Sequence, residues 1–411
     1  MKVLLCNTYL YRRGGAEVSL FDLADLLTTK GHAVIFFGMK DPKNEVKDNS
    51  EYFVDNLEFD DYRPTRFLWG VKAVGRVMYS TQAMQRVRKL VRDERPDLVY
   101  VNNIAHHISP SILEVFKEFD LPVALSVRDY KIVCPNSLLL NRTSICERCI
   151  GGRFYNAVLY RCKRNSLIPS AVACAEAYLH RLRRLYSLVD VLLAPSIFCK
   201  KKLVQFGLDE ERIRVVPNFV NTDGFTPPAP ATKPFCVYFG RLSHEKGLFE
   251  LVGSAAHTKS ALVVIGDGGL MPELVRYAKD LGAENVRFMG RLERRELFRV
   301  VGSSMFTVFP SLCYETFGRG VLESFSLGKP VLVSRGGALE ELVHEGVDGL
   351  VADPRDPHDL NQKLEYMFSS AEVASRMGEM GRAKVMKGFT PEHHYKKLMS
   401  ALEKILGPLS S

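Results

Sequence analysis

Glu315-Thr316-Phe317-Gly318-Arg319-Gly320-Val321-Leu322-Glu323, continued by Ser324-Phe325-Ser326-Leu327-Gly328-Lys329-Pro330, sets a glycine-rich turn at the start of a helix between two carboxylates. Seven residues separate Glu315 from Glu323, and the chain then returns to a strand through Pro330. The first N–H groups of a helix suit a phosphate or a sugar hydroxyl, and a carboxylate on either side accepts hydrogen bonds from a diol. The pattern reads as a grip on a nucleotide sugar. A capping Glu followed by a helix-surface Glu would give the same letters, so the neighbouring sequence has to decide.

About 75 residues upstream, Phe235–Phe239 reads as a buried strand running into Gly240-Arg241-Leu242-Ser243-His244-Glu245-Lys246-Gly247, after which a helical pattern begins at Leu248. Arg241 and Lys246 flank one strand-to-helix loop, where two cations can converge on a diphosphate while the glycines permit tight turns. Val263-Val264-Ile265-Gly266-Asp267-Gly268-Gly269 repeats the sequence of strand, glycines and helix.

With these motifs the chain resembles the retaining glycosyltransferases of family 4. The resemblance rests also on Gly14-Gly15-Ala16-Glu17, Ala194-Pro195-Ser196, Val216-Pro217-Asn218 and Met289-Gly290-Arg291-Leu292, and it spans nearly the whole sequence. It implies an α/β fold of GT-B type: two Rossmann-like parallel-sheet domains facing a central cleft. By the same resemblance Arg241 and Lys246 neutralise the diphosphate leaving group, Glu323 holds the ribose hydroxyls, and Glu315 contacts the transferred sugar. Gly240, Gly266 and the backbone around Phe317, Gly318 and Arg319 belong to the donor site. Arg291 and Leu292 lie where the base is read, and Gly15 approaches the phosphates from the first domain. Asn103 and His107, just after a first-domain strand, are candidates for the acceptor side, with a structural turn contact as the equal alternative; His106 shares that position.

One position departs from the family. Where a His-Asp-Tyr is usual, this chain has Arg128-Asp129-Tyr130. An arginine does not act as a base because its pKa stays above about 12. Arg128 is expected either to anchor a donor carboxylate or an acceptor phosphate, or to mark weakened catalysis. The leading function is transfer of a hexose from a UDP-sugar to a cell-surface polysaccharide or a polyprenyl-linked glycan, without a metal. The alternatives are a nucleotide-sugar 2-epimerase and a non-catalytic nucleotide-sugar-binding homologue.

A length of 411 residues is too long for one ordinary core, and the strand and helix periods divide it. Strands are expected at 2–8, 33–37, 97–101, 123–127, 189–194 and 213–216, giving a first domain over 1–219. The proline-dense stretch 226–234 serves as a linker. A second domain over 220–390 has strands at 235–239, 261–265, 286–289, 306–310 and 331–334. The amphipathic terminal segment 391–411 crosses back to the first domain, as the resemblance implies.

The net charge of +9 favours phosphate-bearing partners, yet no nucleic-acid-binding module is visible. No apolar run of about 18 residues exists to span a bilayer. A cytoplasmic protein, peripheral on the inner face of the membrane, is the expectation. Between Arg63 and Arg95 basic and apolar residues alternate, which suits either a lipid-facing segment or two packed helices with solvated faces. Cys134, Cys146, Cys149 and Cys162 hold a CxxC pair with outer spacings of 11 and 12 residues. Such an insert is compatible with a structural zinc, with reduced thiols or with disulfides. The other five cysteines lie in apolar settings and read as core.

Overall fold

The computed structural model describes residues 1–56, 74–105, 107–221, 233–258 and 260–407. Its first sheet contains β1 (Lys2–Asn7), β2 (Ala33–Phe37), β3 (Leu98–Asn103) and β4 (Val123–Ser126). An insert with the small hairpin β5 (Leu140–Asn141) and β6 (Ser144–Ile145) follows, and β7 (Val191–Ala194) and β8 (Ile213–Val215) complete the sheet. The second sheet contains β9 (Phe235–Phe239), β10 (Ala261–Ile265), β11 (Val286–Gly290), β12 (Phe306–Phe309), β13 (Val331–Ser334) and β14 (Gly349–Ala352). The strand orders are β2-β1-β3-β4-β7-β8 and β11-β10-β9-β12-β13-β14, six strands each, and every pair within them is parallel. The expected α/β architecture of two parallel-sheet domains is the one observed. β14 escaped the sequence reading because it is only four residues long and opens on a glycine.

Both faces of the central strands are covered, which is why those strands are largely apolar, whereas the edge strand β11 leaves Arg287 and Met289 exposed. In the first domain the alternation is visible residue by residue. Val3 and Leu5 pack with Leu20, Leu23 and Leu27 of the Gly15–Thr29 helix, while Leu4 and Cys6 face Val87, Leu90 and Phe116 on the other side. The helix Pro391–Leu406 finishes the first of these faces: Leu398, Ala401 and Leu402 join the Val3/Leu5 cluster. Polar anchors fix its path, with His394 Nδ1 against the Pro217 carbonyl at 2.7 Å and His32 Nε2 against the Tyr395 hydroxyl at 2.8 Å.

The described part of the basic stretch 63–95 takes the packed-helix alternative. Ala83, Val87, Leu90 and Val91 of the Thr81–Glu94 helix are buried in the core, and Arg88 makes a two-pronged pair with Glu118 at 2.8 and 3.0 Å. Arg76 is buried and donates to the His107 carbonyl. Residues 57–73, and 226–232 of the proline-dense stretch, lie outside the described residues.

In open α/β sheets a crevice forms where the strand order reverses, beyond the carboxyl ends of the strands. Here those points are β1/β3 and β9/β12, and side chains close the gap between the two domains around them. Arg319 is the central one: Nη2 donates to Asp22 Oδ2 at 2.6 Å and Nη1 to Ser19 Oγ at 3.2 Å across the interface, while Nε holds Glu323 Oε1 at 2.9 Å within its own helix. The Arg319 and Asp22 side chains are only 10% and 8% exposed. Arg294 adds a second cation 3.6 Å from Asp22. Glu341 caps the first-domain helix Ile197–Gln205, accepting from the N–H groups of Ile197 and Phe198 at 2.9 and 2.6 Å, and Ser196 Oγ donates to the Thr316 carbonyl.

Removing one partner of a buried ion pair leaves the other charge uncompensated. Asp22→Ala is therefore expected to cost about 3 kcal/mol in a urea unfolding measurement, and the triple variant Asp22→Leu/Arg319→Met/Glu323→Leu, which removes the whole charge set, to recover most of it. A second expectation concerns acid. Burial lowers the pKa of His394 to about 4, with Arg128 adding to the effect against the pull of the Pro217 carbonyl. The unfolded chain therefore takes up this proton first as pH falls. The contribution is complete above about pH 6.5 and is lost as pH approaches 4, amounting to about 3 kcal/mol. The difference between the pH–stability curves of the wild type and His394→Asn should fall in that window.

Candidate functional site

The second-domain wall of the crevice is built from the loops after β9, β10 and β12. The first two loops interlock: Gly240 N–H donates to the Ile265 carbonyl and Leu242 N–H to the Asp267 carbonyl, at 3.0 and 2.8 Å. Gly266 has φ +140°, and a Cβ there would fall 1.8 Å from the Gly240 carbonyl oxygen. No other residue fits that approach. Gly266 thus brings the Arg241 loop and the Asp267 loop together, and its observed part in the site is this loop-to-loop contact.

Lys246 Nζ meets Glu315 Oε1 at 2.5 Å, and Ser311 Oγ donates to the same oxygen at 2.7 Å. Burial works to pull the Lys246 pKa down, but the Glu315 carboxylate outweighs it and holds the ammonium above its usual range. Glu315 is held below its usual range: burial pushes it up, and Lys246, Ser311 and Arg241 more than offset that. Both groups are charged at neutral pH. Arg241 donates to Glu245 Oε1 at 3.1 Å and is 68% exposed, so most of its guanidinium stays open to a ligand. Its charge also acts on Asp129 of the first domain, whose carboxyl burial pushes up against the pull of Lys131, Lys163 and Arg241. The two cations singled out in the sequence therefore belong to one electrostatic neighbourhood with Glu315.

Glu323 lies on the helix Arg319–Ser326, whose first turn leaves the Arg319 and Gly320 N–H groups without an intrahelical acceptor. Phe317 is buried in the second-domain core, and Gly318 caps the helix with φ +122°. Across the interface, Gly15 opens the helix Gly15–Thr29, and a Cβ on it would sit 3.9 Å from Arg319 Cδ. Gly15 and the Arg319 turn thus face each other. Arg291 reaches the Arg12 carbonyl of the first domain at 2.5 Å, and Leu292 packs against the second-domain core. Sequence reasoning missed Asp22 and Ser19. Their only signal was a carboxylate at a position where the Gly15–Thr29 helix is otherwise buried.

Arg128 is occupied within its own domain. Nε donates to Asn102 Oδ1 and Nη1 to Asn218 Oδ1, both at 2.6 Å, and Nη2 lies 3.5 Å from the Tyr100 hydroxyl. In this arrangement the guanidinium braces the end of β3 against the segment after β8. Its backbone carbonyl accepts from Thr316 Oγ1 at 3.1 Å, a further link between the domains. The Asn103 side-chain Oδ1 accepts from Ala105 N–H at 3.3 Å in a turn, and His107 Nε2 sits 3.3 Å from the Tyr9 hydroxyl. His106 lies outside the described residues.

Cys134, Cys146, Cys149 and Cys162 come into one neighbourhood: burial pushes the Cys149 thiol up to about 12, and the other three add to the effect. Among the described residues no group of three or more Cys, His, Asp or Glu side chains is arranged to hold a metal ion. Cys134 Sγ is turned to Asn136 Oδ1 at 3.1 Å, Cys162 Sγ accepts from Asn141 Nδ2 at 3.4 Å, and Cys146 Sγ accepts from Arg148. The nine cysteines are free thiols.

Comparison with known proteins agrees with this geometry. Residues 14–218 match the family model of the glycosyl transferase 4-like domain, and residues 221–384 that of glycosyl transferases group 1. The chain is 28% identical over 292 residues to the D-rhamnosyltransferase WbpZ of Pseudomonas aeruginosa, covering 68% of this chain and 74% of that one. It is 29% identical over 161 residues to the O-antigen chain mannosyltransferase C of Escherichia coli, covering 39% and 43% of the two. Among solved structures, sucrose-phosphate synthase from Thermosynechococcus elongatus superposes with a TM-score of 0.75 at 17% identity, over 98% of this chain and 99% of that one. Anabaena HepE in complex with UDP and glucose superposes at 0.69 and 19% identity, over 98% and 99%. With two glycosyltransferase models laid end to end over residues 14–218 and 221–384, and one fold shared along its length with these structures, the chain belongs to the glycosyltransferases of GT-B architecture.

Proposed function

We propose that the protein is a retaining, metal-independent hexosyltransferase of family 4, using a UDP-sugar and acting at the cytoplasmic face of the membrane on a lipid-linked or cell-surface glycan. The observation that carries this reading is the Lys246–Glu315 pair, braced by Ser311 and neighboured by Arg241, at the β9/β12 switch point. A departing nucleoside diphosphate leaves concentrated negative charge, and cations already fixed in a partly buried crevice stabilise it more than water-exposed ones would. Lys246 and Arg241 supply that charge, so the step needs no metal ion. Glu315, kept ionised by Lys246, accepts a hydroxyl of the transferred sugar. Glu323 accepts from the ribose once a donor shares it with Arg319.

The relatives support the substrate class. The WbpZ relative is named a D-rhamnosyltransferase and the Escherichia coli relative an O-antigen chain mannosyltransferase, while HepE was solved with UDP and with UDP-glucose. Arg128 does not weigh against catalysis in this reading, because its charge is taken up by Asn102 and Asn218.

Incubation with labelled UDP-sugars and a membrane extract is expected to move label into the lipid or polysaccharide fraction with retained anomeric configuration. Label recovered on the nucleotide with an altered sugar would mean epimerisation, and retention without turnover would mean a binding homologue. Lys246→Ala and Arg241→Ala should each lower kcat by about 100-fold or more, as loss of a preorganised charge-stabilising group does elsewhere. Glu323→Gln should act mainly on the donor KM, and excess EDTA should leave the rate unchanged.

A further inference from the structure

The first domain carries an apolar surface that the transfer chemistry does not use. In the helix Leu167–Leu182, Ser170, Ala173, Cys174, Glu176 and His180 face the interior. The opposite side is apolar as well. Ile168, Ala171, Ala175, Tyr178 and Leu182 follow one another at spacings of three and four, and all five are exposed, Ile168 at 76% and Leu182 at 80%. A helix apolar on every side is normally buried, and a stripe with this period is a seam that lacks its partner. Tyr155, Leu159 and Tyr160 of the preceding insert are exposed too and extend the apolar surface.

The charge around this surface is one-sided. Between 153 and 184 the sequence has seven cationic side chains and a single carboxylate, Glu176. That carboxylate is buried and already paired with Lys131 at 2.7 Å. Arg153, Arg161, Arg164, Arg181 and Arg184 are exposed and have no ion pair with a carboxylate among the described residues. Beside the helix lies a groove of about 420 Å³ whose wall includes Phe154, Tyr186 and Phe206, with Arg181, Arg184 and Arg212 also lining it. Apolar side chains for an acyl layer and guanidiniums for phosphates, with Asp209 the one carboxylate on the groove wall, match a negatively charged lipid surface. A protein partner would need acidic groups placed to fit this cationic ring, whereas a bilayer supplies negative charge at every position.

We propose that the helix Leu167–Leu182, with the adjoining Tyr155–Tyr160 segment and the flanking arginines, is the face by which the protein docks on an anionic phospholipid membrane. No helix among the described residues is long and apolar enough to cross a membrane, so the contact is peripheral. The inference gives the membrane-peripheral reading above a surface, and vesicle binding tests it without any transfer activity.

The full chain is mixed with sedimentable vesicles of phosphatidylcholine, with or without phosphatidylglycerol. The wild type is expected to pellet with the anionic vesicles, and to do so less as salt rises. Ile168→Asp and Leu182→Asp, and separately Arg181→Glu/Arg184→Glu, should each weaken the partition about tenfold or more while the melting temperature stays that of the wild type. Absence of binding to anionic vesicles, or binding unchanged by these variants, overturns the proposal. So does a wild-type dimer in size-exclusion chromatography that Ile168→Asp splits, which would assign the stripe to a second copy. A fall in melting temperature with Ile168→Asp would also overturn it, because the chain itself would then be covering the face.

Discussion

Arg319 is the charge on which the two-domain arrangement depends. Its fork is divided between Asp22 in one domain and Glu323 in the other, with little water near either contact. In such surroundings a guanidinium must keep its carboxylates, because losing one leaves an unpaired charge in a poorly solvated place. The same cation therefore fixes how close the domains lie and occupies the carboxylate proposed to hold the ribose. A donor that engages Glu323 must share it with Arg319, so binding at that residue and the distance between domains are coupled through one side chain.

The rest of the crevice follows from sheet topology. Each sheet reverses its strand order once at the crevice, at β1/β3 and β9/β12, and from those points come the loops that carry Gly15, Arg241, Lys246 and Glu315. Because parallel strands all end on the same side, short connections suffice to bring residues distant in sequence together. Lys246 and Glu315 are 69 residues apart and make direct contact. Ser311, Tyr238 and Glu245 surround them with groups that hold the loop rather than approach a ligand.

Much of this was legible in the sequence, and what was not has a physical reason. The strands declared themselves as short apolar runs, some of them closed by glycine, and the Glu315–Glu323 stretch with the Arg241–Lys246 loop marked the crevice. Local patterns carry such information. The Asp22–Arg319 contact joins positions 297 residues apart, and nothing near Asp22 sets it apart from an ordinary helix carboxylate. Arg128 was recognisable as unusual, but its partners Asn102 and Asn218 were not, because only folding brings them alongside. Alternation of basic and apolar residues in the Thr81–Glu94 helix suited either a lipid-facing segment or a packed helix, and its apolar side is core. Burial is decided by neighbours, and composition does not name them. The cysteine spacing marked a local insert, and folding brings the four thiols into one neighbourhood beside nearby amides and a guanidinium.

The placement of the helix Pro391–Leu406 bears on how the protein is made. It follows the whole second domain in sequence, yet Leu398, Ala401 and Leu402 complete a core begun by Val3 and Leu5. Until those residues emerge, the first domain has one side of its sheet incompletely covered. The second half meanwhile has time to fold by itself, since domains generally fold as units in order of synthesis. An apolar sheet face left waiting in this way is what a chaperone would hold, so the nascent first domain is at risk of aggregation until the helix Pro391–Leu406 has been translated.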